Sequence, residues 1–342
     1  MRICPVANAV NAARAPRAYN LRRPGNLGAR EVMPIEILSE TMKRIVTSQE
    51  DPEQLAEGFG GEKGPAEGPV WIREGGYLLF HDIHNSRRMR WEPGKGVSVD
   101  KEGTDNANGM TRDRQGRLVA CHHLTRCVER EEDDGSVTVV AATYHGHRLN
   151  RTNDVVVKSD GAVYFTDPPP RPPITPPDHV SELDFAGVYR VSPDLRHVNL
   201  VAADFVYPNG LAFSPDERTL YVNDTSRYRK HIRAFDVEPS TGMLERGSGR
   251  EFCDMKGDDR PGFPDGMKVD VEGNVYCTGP GGIWVISPEG EHIGTILTQA
   301  INMAWGDEDW STLYFTSRST LNRIRLAIPG IPVPRGDLAA GD

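Results

Sequence analysis

Pro264-Asp265-Gly266-Met267 puts a small polar residue at the head of an apolar run, and Asn274-Val275-Tyr276-Cys277 follows it after a turn. The pair is one of six. A polar residue heads the runs Ala66-Glu67-Gly68-Pro69-Val70-Trp71, Ala107-Asn108-Gly109-Met110 and Thr152-Asn153-Asp154-Val155-Val156. It does so again in Pro208-Asn209-Gly210-Leu211-Ala212 and Ile301-Asn302-Met303-Ala304-Trp305. Each run meets a turn and a second apolar run, and the second runs end at Asp82, His122, Asp167, Asp224, Gly279 and Ser317. From the first polar residue to that end the offsets are 15, 14, 14, 15, 14 and 15 residues. Such constancy means one supersecondary unit used six times.

A third and fourth strand can be read after each second run. Gly187-Val188-Tyr189-Arg190-Val191 and His197-Val198-Asn199-Leu200-Val201 are one such pair. The sixth unit has a third strand at Leu321-Asn322-Arg323-Ile324-Arg325-Leu326, then runs into a Pro-rich end and lacks a fourth. The segment before Glu67 can supply the missing strand, which would close the sheet and remove its open edge. The expectation is an all-β fold: a six-bladed β-propeller of four-stranded antiparallel blades, the ring closed by an N-terminal strand. One domain over 33–334 would carry the repeats, with a flexible tail over 335–342. Residues 1–32 hold six Arg and one acid, without the apolar segment a secretory signal needs. They read as a disordered leader, either an organellar transit peptide or, the favoured reading, an upstream-extended start with Met33 as the working initiator.

Composition supports this frame. The chain of 342 residues has 35 Gly and 26 Pro and is 37% hydrophobic, which suits many short strands joined by tight turns. No apolar stretch approaches the roughly 20 residues that span a bilayer, so no membrane role is expected. Net charge is -9 and the repeats carry no basic run, which removes the electrostatic footprint of a nucleic-acid binder. The cysteines are Cys4, Cys121, Cys127, Cys253 and Cys277. An odd count without C-x-x-C argues against a disulfide framework or a thiolate metal site, and points to reduced thiols in a cytoplasmic protein. Cys121 and Cys277 are expected to pack in strands.

In a propeller the first strand of each blade lines the central channel. If the polar residue opens that strand, Glu67, Asn108, Asn153, Asn209, Asp265 and Asn302 form an inner ring at one mouth. The second strands return to the same mouth, so Asp82, His122, Asp167, Asp224, Gly279 and Ser317 form an outer ring there. Two long loops, 168–185 and 254–263, open on that face as candidate lids. Asn-Gly and Asp-Gly pairs are ordinary turn formers, and one alone would be read as a turn. Six in register, two of them acids, reverse that reading. An all-oxygen ring favours a hard cation, calcium before magnesium, over zinc. Four ligands from Glu67, Asn153, Asn209 and Asp265 would leave room for water or substrate.

Across about residues 50–334 the chain resembles the senescence-marker-protein/gluconolactonase family of six-bladed propellers. The resemblance rests on Ala-Glu-Gly-Pro-Val-Trp (66–71), Arg-Leu-Asn-Arg-Thr-Asn-Asp-Val-Val-Val-Lys-Ser-Asp-Gly (148–161), Tyr-Phe-Thr-Asp-Pro-Pro (164–169), Pro-Asn-Gly-Leu-Ala-Phe-Ser-Pro-Asp (208–216), Pro-Asp-Gly-Met-Lys-Val-Asp (264–270) and Thr-Leu-Tyr-Phe-Thr (312–316). It implies a sugar-lactone hydrolase dependent on a divalent metal such as calcium, magnesium, manganese or zinc. The family's metal Glu falls on Glu67, its Asn ligands on Asn153 and Asn209, and its metal-bound Asp on Asp265. A substrate-holding Arg falls on Arg151. Two departures concern the substrate: His122-His123 stands where relatives often carry Glu-His, and Pro170 replaces an aromatic residue.

The expected reaction is opening of an aldonolactone to an aldonate, with Asp265 deprotonating or orienting the attacking water. Arg151, Asn108 and His123 are expected to grip the hydroxyls of a small-molecule sugar lactone. His122 and His123 could equally pack within blade two. Two rivals stand beside this reading. One is phosphotriester or fluorophosphate hydrolysis at the same ion. The other is a non-enzymatic propeller that binds a partner on its face.

Overall fold

The computed structural model describes residues 34–46, 51–60, 64–171, 175 and 178–335. The leader expected over 1–32 lies outside the described residues. Six small antiparallel sheets form the blades of a propeller, and blades one to five each lay four sequential strands from the channel outward. Blade one takes Ala66–Ile72, Tyr77–Asp82, Arg87–Glu92 and Gly96–Glu102. Blade six takes Asn302–Gly306, Thr312–Thr316 and Thr320–Arg325 from its own stretch of chain.

Its fourth strand comes from the N-terminal side. Strand β1 (Ile35–Ile37) and helix α1 (Glu40–Ile45) precede strand β2 (Glu53–Glu57). β2 pairs antiparallel with Thr320–Arg325, with Glu53 opposite Arg323 and Gln54 opposite Asn322. The expected closure is thus met. The sequence reading did not foresee β1, which adds a fifth strand to blade five beside His292–Ile296. Ser39 caps α1 by accepting from the Met42 amide at 3.1 Å, and the helix buries Met42 and Ile45.

Alternation along the second strands builds the seams between blades. Tyr164, Tyr276 and Tyr314 are fully buried, as are Phe80, Phe165 and Phe315. Tyr314 stacks on Trp71 of blade one at 5.3 Å, Tyr276 meets Trp305 of blade six edge-on at 5.0 Å, and Tyr164 meets Phe213 of blade four at 4.9 Å. Each such contact adds about 0.5–1.5 kcal/mol beyond the area it buries. Cys121, Cys127, Cys253 and Cys277 are buried and free, and Cys121 and Cys277 sit in strands as expected.

The chain does not stop at the sixth blade. Residues 328–335 run as a strap across the end of the channel where the first strands finish. The Gly330 amide donates to the Trp310 carbonyl, Val271 donates to Pro329, and Ile331 donates to Val269. A Cβ on Gly330 would fall 1.8 Å from the Trp305 ring, so only glycine lets the strap pass so close. Of the tail expected over 335–342, Arg335 alone is described. Its guanidinium donates to the Ser214 and Pro215 carbonyls and pairs with Glu217 at 3.1 Å. Among the described residues no helix is long and apolar enough to cross a membrane.

Candidate active site

The inner-ring residues sit where the first strands are locally irregular. In blades one, two and four the register slips between Glu67 and Val70, Ala107 and Met110, and Pro208 and Leu211. In blades three and five, Asn153 and Asp265 do not open the strand as expected; they precede Val155–Val157 and Met267–Val269. The reason is sideways pairing. Freed from its own blade, the backbone bonds to the next one: Gly109 donates to Asn153 O at 2.9 Å, Gly210 to Asp265 O at 3.1 Å, and Gly266 to Ile301 O at 2.8 Å. A Cβ on Gly210 would lie 2.1 Å from Asp265 O. The Asn-Gly and Asp-Gly pairs are therefore points of close approach between blades.

This arrangement turns side chains of the ring toward one another. Glu67 is buried, and its Oε2 accepts from the Gly68 amide and from Asn302 Nδ2, both at 2.8 Å. Burial pushes the Glu67 carboxyl up to about 7, helped by the charge of Asp154, although the Asn302 and Gly68 bonds pull the other way. Asp265 is partly exposed at the mouth. Its desolvation, with Glu67 and Asp154 nearby, raises it well above the usual carboxylate range, against a hydrogen bond from Asn209. Asn209 Oδ1 is buried with no partner. Asn153 is buried, and its carboxamide makes no hydrogen bond to a described residue. Asn302 is spent at both ends, donating to Glu67 and accepting from the Met303 amide at 2.8 Å.

No group of three His, Cys, Asp or Glu side chains among the described residues is placed to hold an ion. The carboxamides therefore have to be counted. Crowded acids beside an unpartnered buried oxygen fit a hard divalent cation, which takes oxygen ligands and relieves like-charge repulsion.

The outer ring does different work. Asp82 accepts from the Gly60 amide at 2.9 Å and pairs with Arg87 at 2.6 Å. Asp167 accepts from the Asn150 and Arg151 amides at 2.8 and 2.6 Å, and Asp224 from Val206 and Tyr207 at 2.7 and 3.1 Å. His122 Nδ1 bonds Thr104 O at 3.0 Å. Each ties down the segment that leads into the first strand of its own blade, so this ring aims the inner one.

Beside the inner ring a wall is assembled from three blades. His123 contacts Asn108 at 2.8 Å and Arg151 at 3.0 Å, and Arg151 Nη1 donates to Tyr207 Oη at 2.8 Å. Arg171 lies over the Tyr207 ring at 5.9 Å. Burial holds His123 well below the usual imidazole range, so the ring is neutral. The loop expected as a lid over 168–185 is pinned where described: Arg126 donates to Val180 O at 3.2 Å, and Glu182 accepts from the Arg148 amide at 2.8 Å.

The sequence reading missed Asp154, Lys268 and Tyr207. Asp154 is 2% exposed, its Oδ2 has no partner, and burial raises its carboxyl against the charge of Lys268. A signal for it existed. Four copies place Gly after the polar residue, whereas the third places an acid. Tyr207, immediately before Pro208-Asn209, has an aromatic counterpart in Phe263 before Pro264-Asp265, but only Tyr207 carries the hydroxyl that meets Arg151.

Residues 65–319 match the SMP-30/Gluconolactonase/LRE-like region. A gluconolactonase of Zymomonas mobilis is 32% identical, over 76% of this chain and 78% of its own. A pentonolactonase of Haloferax volcanii is 27% identical, over 73% of this chain and 80% of its own. The solved structure of a gluconolactonase from Xanthomonas campestris is 33% identical, superposes with a TM-score of 0.75, and covers 86% of this chain and 94% of its own. The match extends over all six blades, including every inner-ring position, and the chain belongs to the SMP-30/gluconolactonase/LRE-like family.

Proposed function

We propose that the protein hydrolyses sugar lactones, opening an aldonolactone to its aldonate, at a site that takes one divalent cation, calcium by preference. The lactonases among its relatives support the reaction class. The observation that carries the reading is the channel mouth, where Glu67 and Asp265 repel each other beside the unpartnered Asn209 Oδ1. Glu67, Asn153, Asn209 and Asp265 would hold the ion. When bound, it supplies Lewis-acid polarisation of the lactone carbonyl.

The remaining chemistry belongs to the chain. Asp265 orients the attacking water and takes its proton as the new C–O bond forms. The proton then goes to the ring oxygen as the ester C–O bond breaks, leaving a hydroxyl and a carboxylic acid, which gives its remaining proton to solvent to become the aldonate. Arg151, held by Tyr207 and His123, faces the charge that develops on oxygen. Asn108, backed by His123, completes the grip on the sugar. In this reading one propeller over 33–334 carries the activity, and the buried free thiols suit the cytoplasm.

The test is a panel of aldonolactones offered to metal-stripped protein resupplied with calcium, magnesium, manganese or zinc. Turnover restored by one ion is expected. Equal hydrolysis with and without ions, or no gain in melting temperature with any of them, would sink the metal assignment; no lactone turnover at all would sink the reaction.

A further inference from the structure

The hydrogen bonds of His123 contain a conflict that only one arrangement resolves. Arg151 Nη2 lies 3.0 Å from His123 Nδ1. A guanidinium has donors and no acceptor, so Nδ1 must offer a lone pair. A neutral imidazole then carries its one proton on Nε2. Yet Asn108 Nδ2 lies 2.8 Å from Nε2, and two N–H donors cannot meet there. Losing the second proton as well would need an imidazolate, out of reach near neutral pH.

Turning the Asn108 carboxamide half a revolution removes the conflict. Its oxygen and nitrogen have nearly the same shape, so the bond network decides which is which. The oxygen then accepts from Nε2–H. The amide nitrogen moves to the far side, where the oxygen stood buried with no partner. Asn108 is 4% exposed, so the two N–H donors then stand where the oxygen met no donor. Arg151 adds to this. Its guanidinium bonds only neutral partners, Tyr207 Oη and His123 Nδ1, and no carboxylate among the described residues pairs with it.

We propose that His123 is a positioning residue which fixes Asn108 as a hydrogen-bond donor to substrate oxygen and keeps it out of the ion's ligand set. The inner ring then divides by polarity. Asn209 turns an oxygen toward the mouth, for a cation, and Asn108 turns a nitrogen, for lone pairs of the sugar. With Arg151, the wall offers donors only, and it takes a lactone oxygen that can accept. The substrate half of this inference rests on the lactonase reading above; the donor assignment does not.

Two measurements test it on the full chain. Long-range proton–nitrogen correlation spectra of histidine-labelled protein should show His123 in the Nε2–H tautomer; the Nδ1–H tautomer overturns the proposal, whether or not any lactone is turned over. Asn108→Ala should leave the calcium dissociation constant within about twofold while raising KM for an aldonolactone tenfold or more at little-changed kcat. A tenfold weaker calcium affinity would make Asn108 a ligand and overturn the assignment, as would an unchanged KM.

Discussion

The two ends of the channel are built from the same six strands and share almost nothing else. At one end, Glu67, Asn209 and Asp265 bring polar atoms together that the protein leaves partly unsatisfied. At the other, Trp71, Met110, Phe213, Val269 and Trp305, with the strap residues Ile331 and Val333, line a mostly apolar cavity of about 80 Å³ whose polar lining includes Arg112, Lys268 and Arg335. Only a few residues along each strand separate the two. The difference teaches that one end is built for stability and the other against it. Hydrophobic burial and the strap stabilise the closed end. Desolvated like charges destabilise the open end until something binds.

Four outcomes would break or sharpen that contrast. Asp265→Asn should lower the aldonolactone rate constant by about a hundredfold or more, the scale of a lost general base, while the melting temperature holds or rises as repulsion is relieved. An undiminished rate with the ion bound would leave the open end without its proposed base. Trp305→Ala, at the closed end, should cost about 3–5 kcal/mol in denaturant unfolding, with kcat of the folded fraction unchanged. A fall in kcat at full folding would couple the ends and blur the division.

The third outcome concerns pH. Glu67 and Asp265 titrate above the normal carboxylate range in the folded protein, Glu67 at about 7. Protons on Glu67 therefore compete with a cation below that point. Calorimetry should show calcium affinity rising as pH goes from 5.5 to 7.5, by up to about tenfold per unit for each proton displaced. The raised Glu67 value also favours the ion-free fold at acid pH, and that stability is lost as pH climbs from about 4.5 through 7. A flat affinity profile would mean the acids are not where the ion sits. The smallest effect is expected from Tyr207→Phe, which deletes one neutral hydrogen bond to Arg151. It should raise KM by roughly fivefold, worth about 1 kcal/mol, with calcium affinity unchanged.

How much of this was legible in the sequence follows from which forces are local. The blade is a local object: two runs, a turn and a fixed offset record it, so six copies fixed the architecture and the inner-ring positions. The closing strand was inferred from a deficit, because a ring of six cannot leave one sheet short. Other features depended on pairs far apart in the chain. Nothing in Ile35-Glu36-Ile37 says that it will dock on blade five, since any exposed edge could accept it. The outer-ring acids could be placed at the mouth but given no task, and Asp82, Asp167 and Asp224 turned out to hold backbone amides. Asx bonds of that kind depend on where a loop returns, which a linear pattern does not record. The wall was half visible. Arg151 and His123 could be named, but Tyr207 arrives from blade four by packing alone.

The seam of blade six also imposes a sequence of events in time. β2 precedes the blades' own strands in the chain, and its partner Thr320–Arg325 follows those of blades one to five. Blades one to four, and the four sequential strands of blade five, can form as they are synthesised from contiguous chain, while β1 and β2 wait. The circle locks in one late step, with a closure between residues 270 positions apart, as Glu53 and Arg323 are, and such long-range pairing is slow. A nascent chain halted before residue 320 has its blades and no lock.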